Sequence, residues 1–278
     1  MKKIRIVADS SCDMFGLKYT EFAVAPMKII TAEREFSDDE GLDVNDMVDF
    51  LYQYKGKSKS SCPNTADWIS AFGDADEIYC VTITSGLSGS YNSACAAKKI
   101  YEAEREGSRV FVIDTLSAGP EMTLIIEKIE DCIRKGMAFE EVCDCVTDYM
   151  KHTGLIFMLK SVKNFANNGR ISPIVAKIVG IAGICIIGRA SDQGTLETVD
   201  KCRGEKRSLD ALVQGLEKEG FRSGKISIGH CQNETAAEEL KKLIIAKFGK
   251  IETEIHKFRG LCSFYAEKGG VLVGFEKA

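Results

Sequence analysis

From residue 3 to residue 152, short apolar runs alternate with longer amphipathic segments, and this rhythm restricts the fold more than any other feature of the chain. The runs at 3–8, 24–31, 78–84 and 109–114 have strand length. The segments 43–54, 65–72, 88–104, 122–135 and 139–152 have helical spacing. In the first of these, Val44, Met47, Val48 and Leu51 fall on one face, and Asp43 supplies an N-cap. Strands that alternate with helices build βαβ units, so this half is expected to hold a mostly parallel, doubly wound α/β sheet.

The segment 164–169 (Asn-Phe-Ala-Asn-Asn-Gly) breaks the rhythm. Beyond it, strand candidates at 184–190 and 195–203 flank Asp192-Gln193-Gly194, which is hairpin chemistry. Helical segments at 205–218 and 234–248 then mix with strands at 225–230, 251–258 and 271–275. A chain of 278 residues has room for two ordinary domains. The expectation is an N-terminal α/β domain over 1–152 and a mixed α/β domain over 153–278.

The net charge of −4 argues against nucleic acid as a partner, because phosphate neutralisation needs clustered cations. The charge is uneven: residues 151–222 hold twelve Lys/Arg against seven Asp/Glu, a local +5, which leaves −9 for the remainder. An acidic ligand or partner suits that basic middle, as does a merely solvated surface. The eleven cysteines include no Cys-x-x-Cys pair, and only three histidines are present, so no metal site is expected. The thiols read as small buried hydrophobes in a reducing cytoplasm. No apolar core of signal length precedes Asp9, and the longest apolar stretch, 171–187, is broken by Pro173 and Lys177. The expectation is a soluble cytoplasmic protein whose membrane contact is at most transient.

The joint Thr84-Ser85-Gly86-Leu87-Ser88-Gly89-Ser90 ends a strand and opens a helix. The first N–H groups of a helix are unpaired and carry partial positive charge, so hydroxyls and glycines placed there can receive a carboxylate or a phosphate. A plain helix cap at Ser88 is the competing reading. Neither G-x-x-x-x-G-K-[ST] nor G-x-G-x-x-G occurs at this joint, and the glycine pattern of a G-x-S-x-G nucleophile elbow is absent. A second hydroxyl-rich loop, Lys59-Ser60-Ser61-Cys62-Pro63, and Asp9-Ser10-Ser11 are expected at the same sheet edge, forming one polar rim. His152, His230 and His256 stand in no motif that would activate Ser88, and Asp38-Asp39-Glu40 reads as a solvated loop. The residues describe a receptor for an anion without a cofactor and without visible machinery to attack one.

Val7-Ala8-Asp9-Ser10-Ser11, Ala25-Pro26-Met27, the two hydroxyl loops, Val112-Ile113-Asp114-Thr115, Asn168-Gly169-Arg170-Ile171-Ser172 and Lys201-Cys202-Arg203-Gly204 follow one another in the order and spacing of a known family. The chain resembles the DegV family of fatty-acid-binding proteins nearly end to end. That resemblance implies a two-domain α/β fold with a long-chain fatty acid between the domains. It also implies a non-catalytic subunit that presents the carboxylate to a separate ATP-binding kinase subunit, giving acyl phosphate for phospholipid synthesis. Matched residue by residue, it implies head-group contacts at Ser60 and Ser88, with Arg170 at the head-group or partner-docking region; the two hydroxyl loops add Ser61, Ser85 and Gly86 as candidates beside them. Where the family usually has His-Thr-Gly-Pro-Gly, this chain has no histidine after His256. Either Tyr265 substitutes, or the kinase chemistry differs. A stand-alone lipid carrier or sensor, and a Ser88-dependent enzyme acting on an acyl or phosphate ester, are the alternatives. Residues 174–187 and the strand ends are candidates for the tail-lining wall.

Overall fold

Three sheets organise the computed structural model, which describes residues 2–171 and 183–277. The first has strand order β2-β1-β6-β7, from β1 (Ile4–Asp9), β2 (Glu21–Ala25), β6 (Glu77–Thr82) and β7 (Arg109–Asp114), all parallel. Side chains alternate across these strands, and both faces are covered. Val7, Ile78, Cys80 and Val110 pack under α2 (Thr65–Phe72) and α3 (Ser90–Glu104) with Trp68, Phe72 and Tyr101. Ile6, Ala8, Tyr79, Val81 and Ile113 face the other way, toward α4 (Pro120–Arg134) and α5 (Phe139–Tyr149). This is the doubly wound sheet that the alternating rhythm dictates.

The second sheet is mixed, with order β10-β9-β8-β13-β11-β12. Its strands are β8 (Thr153–Leu159), β9 (Ile184–Ala190), β10 (Leu196–Arg203), β11 (Lys225–His230), β12 (Glu252–Lys257) and β13 (Val271–Glu276). One face packs Ile156, Met158, Ile187 and Val273 against α7 (Glu205–Lys218) and α8 (Glu234–Phe248). The other joins Phe157, Leu159 and Ile186 to the same core as α4 and the first sheet. A small antiparallel sheet of β4 (Glu35–Ser37), β3 (Lys28–Ile30) and β5 (Lys59–Ser61) flanks them, together with α1 (Val44–Gln53), α6 (Lys163–Asn167) and α9 (Gly260–Ala266). Asp43 does cap α1, accepting from the Asn45 and Asp46 N–H groups. Among the described residues no helix is long and apolar enough to cross a membrane.

Several local expectations are corrected. The run at 24–31 is two strands, because Pro26 has no N–H to donate and Met27 N–H turns aside to the Ser10 hydroxyl at 3.1 Å. Lys59–Ser61 is a strand rather than a loop, and α5 ends at Tyr149 in a short 3₁₀ turn, Met150–His152. β8 and α9 had no counterpart in the sequence reading. Asp38 is not solvated: it is fully buried, its oxygens accept the Gly260 and Leu261 N–H groups at 2.8 Å each, and the Arg259 guanidinium lies 3.6 Å away. Burial pushes Asp38 up, while Arg259, the Leu261 and Gly260 amides and the Ser10 hydroxyl oppose the rise.

Candidate functional site

A cavity of about 330 Å³ lies between the two large sheets, within the range usual for ligand pockets. One face of β8 forms part of its wall: Leu155, Phe157 and Leu159 point into it, while the intervening Ile156 and Met158 point into the core under α7 and α8. Leu196 at the start of β10, Ala190 at the end of β9 and Leu272 of β13 extend the wall, so strand ends do line it. Of the segment 174–187, residues 174–182 lie outside the described residues.

The polar lining comes from Ser60, Ser61, Thr84, Ser88, Ser117 and Thr195, with Arg170 the one charged side chain among the described lining residues. Ser60, Arg170 and the loop at Leu87 gather round Tyr265, and this is the polar end. The helix α3 begins at Ser90 rather than Ser88, with Gly89 as its cap residue and no side-chain cap bond; the Ser88 hydroxyl accepts only a 3.3 Å contact from Ser90 N–H. No acidic residue occupies the first turn of α3. Ser60 Oγ lies 2.7 Å from the Tyr265 hydroxyl, and Tyr265 is packed on Phe165 at 4.6 Å between ring centroids. Burial pushes the Tyr265 phenol up, against the Ser60 bond and Arg170, so it remains protonated at neutral pH. The Arg170 guanidinium lies 5.6 Å from the Tyr265 ring centroid; it donates through Nε to Leu87 O at 3.0 Å and through a terminal nitrogen to Asn168 O at 2.9 Å. Asn168 in turn donates to Ser58 O at 3.1 Å, which ties β5 to the end of α6.

Two expected contacts fall elsewhere. Ser85 is exposed, and its N–H donates to Asp114 at 3.0 Å. Gly86 makes room for protein, not ligand: a Cβ there would stand 2.8 Å from Gln193 O. The turn joining β9 to β10 crosses onto this loop, where Thr84 Oγ1 donates to Gly194 O at 2.8 Å. Gly194 has φ +69°, and a side chain would collide with Thr84, so glycine is required. Asp9-Ser10-Ser11 is no part of a rim either. All three are fully buried, and Asp9 accepts from Ile83 N–H at 2.9 Å and Ser90 Oγ at 2.6 Å, which fixes the start of α3 from below. Burial pushes Asp9 up, while Ser11, Ser90 and the Ile83 amide oppose that.

No histidine lines the cavity among the described residues. His230 is buried in β11 and accepts Asn233 N–H at 3.2 Å, as a core histidine does. Sequence reasoning missed the contribution of β8. Leu155-Ile156-Phe157-Met158-Leu159 is an unbroken apolar run of strand length, and that signal could have revealed the wall.

A family model described as "Uncharacterised protein, DegV family" matches residues 3–278. A DegV domain-containing protein of Streptococcus pneumoniae is 41% identical over 276 residues, covering 98% of each chain. Among solved structures, a DegV family protein from Eubacterium eligens loaded with heptadecanoic acid superposes with a TM-score of 0.97 at 43% identity, covering 99% of this chain and 100% of that one. The Streptococcus pneumoniae fatty acid kinase (Fak) B3 protein loaded with linoleic acid superposes with a TM-score of 0.97 at 41% identity, covering 99% of each.

Proposed function

The chain belongs to the DegV family, and from that premise we propose that it binds a long-chain fatty acid in the cavity and presents the carboxylate to a separate ATP-binding kinase subunit. The observation that carries this reading is a cavity with mostly apolar walls and hydroxyls gathered beside Arg170 and Tyr265, in a fold matching proteins loaded with heptadecanoic and linoleic acids. Ser60, Ser61 and Ser88 donate to the carboxylate, and the start of α3 adds its partial positive charge. Tyr265 stands behind Ser60 and orients its hydroxyl. Residues 1–152 and 153–278 act as the two walls of the binding crevice.

The tail dominates affinity. Burying about fourteen methylenes at ~0.8 kcal/mol each contributes roughly 11 kcal/mol before association costs. A hydrogen bond to a charged group contributes roughly 1.5–3 kcal/mol, so the hydroxyls chiefly fix where the carboxylate points. In the kinase reaction a carboxylate oxygen attacks the terminal phosphorus of ATP, ADP leaves, and an acyl phosphate forms. Arg170, at the polar end, faces the incoming charge as well as bracing Leu87 and Asn168. The absence of a histidine after His256 favours a second reading, a lipid carrier without a kinase partner.

Mass spectrometry of lipids extracted from the purified protein tests the binding; a lipid-free extract overturns it. Incubation with ATP and a supplied kinase subunit separates the two readings: acyl phosphate forms under the first and not under the second. Arg170→Ala that retains lipid but is phosphorylated slowly supports a docking role beyond bracing.

A further inference from the structure

Among the thiols, two from neighbouring helices meet: Cys132 Sγ of α4 lies 3.4 Å from Cys145 Sγ of α5. The helices form a hairpin through the turn at 135–138, where Gly136 has φ +72°. Cys132 is buried in the core, and Cys145 is partly exposed, so a small oxidant reaches Cys145 first. A disulfide bond is about 2.05 Å long, so the two sulfurs need to close by only ~1.3 Å. Lys128 and Lys135 stand near Cys132 and offset the thiolate charge, while burial and Cys145 push its thiol up to about 11. Cys143, two residues away, faces Glu140 and Arg109 instead.

We infer that Cys132 and Cys145 are a modification site, a dithiol that closes to a disulfide when the protein meets a hydroperoxide. The Cys145 thiolate attacks the terminal peroxide oxygen, the O–O bond breaks, and the remaining oxygen leaves as an alcohol, or as water from hydrogen peroxide. Cys145 is then a sulfenic acid. Cys132 sulfur displaces its hydroxyl; the S–S bond forms, and the hydroxyl leaves as water with the proton from Cys132. Two thiols have given up two electrons, and one hydroperoxide has accepted them. A small dithiol reductant reverses the step. The bond staples α4, whose first residue follows the cavity-lining loop of Leu116, Ser117 and Ala118, to α5. This inference is independent of the lipid reading.

The test treats the purified full chain with hydrogen peroxide and maps its peptides without reduction. The expected result is a cross-linked pair holding Cys132 and Cys145, two hydrogens lighter, which dithiothreitol restores. Oxidation should raise the thermal midpoint by ~5 °C, because the bond closes a short loop in the unfolded chain. Cys145→Ser should abolish both effects, Cys143→Ser neither, and Cys132→Ser should leave a sulfenic acid at Cys145 that dimedone traps. A wild-type protein without the cross-link, with pairing through another cysteine, or with Cys145 carried to sulfinic acid overturns the proposal.

Discussion

The polar end of the cavity is assembled from four separate segments, whereas the part of the apolar wall that the second sheet supplies is one face of β8 and its neighbours. Ser60 comes from β5, Ser88 from the joint before α3, Arg170 from beyond α6 and Tyr265 from α9, and side-chain bonds between these segments hold them in register. Leu155, Phe157 and Leu159 need no such bonds, because the ladder that pairs Phe157 with Gly188 on one side and Leu272 on the other already places them. The wall can therefore vary its side chains without moving, while the polar end depends on each of its ties. A site divided in this way separates affinity, which comes from area, from orientation, which comes from fixed donors.

The largest effect is expected at the acid behind α9, the helix that gives Tyr265 to one end and Leu261 and Cys262 to the wall. Asp13 Oδ1 accepts Arg259 N–H at 2.7 Å, its Oδ2 has no partner, and burial pushes it up to about 8, with Arg259 and Cys262 opposing and Asp38 adding. The folded state thus keeps a proton that the unfolded chain releases above its ordinary value of 3.8. Stability falls as pH rises from about 4 to about 8, by on the order of 5 kcal/mol at most. His256 acts oppositely: burial lowers it from 6.5 to about 4, so stability falls as pH drops through that window. Asp13→Asn suits the left-handed φ of 59° and should remove the first slope, which denaturant midpoints across the pH range would read.

Next comes the wall. Leu196 is half-buried at the start of an edge strand, so Leu196→Asp should leave the fold intact. It should lower co-purified fatty acid at least tenfold, since a carboxylate against an acyl chain costs several kcal/mol; unchanged lipid content would remove this wall from the tail site. At the polar end, Ser88→Ala should weaken binding by no more than ~1.5–3 kcal/mol while slowing phosphorylation more. A complete loss of lipid there would break the division between the ends. The smallest effect is expected from Tyr265→Phe, roughly 0.5–1.5 kcal/mol, and a double-mutant cycle with Ser60→Ala should show the two are coupled.

The helices and parallel strands were legible because their apolar spacing and caps are local; α2, α7 and α8 have the limits that spacing gives them. What stayed hidden depends on distant partners. Asp38 looked solvated beside Asp39 and Glu40, yet Arg259, far along the chain, buries it. Gly86 looked like room for a ligand, yet the backbone at Gln193 fills that room. Ser60, Ser61, Ser88, Arg170 and Tyr265 could be picked by pattern, and they do line one cavity. That Ser60 and Tyr265 touch across 205 residues could not be read from either stretch alone.

The most direct measurement is a crystal structure of the protein with a saturated long-chain fatty acid bound. The expected result places the carboxylate oxygens within hydrogen-bond distance of Ser60 and Ser88, with the chain running along Leu155, Phe157 and Leu159. A carboxylate at the Leu272 end, or a chain lying outside the space between the two large sheets, would contradict the division of labour between hydroxyl end and apolar wall.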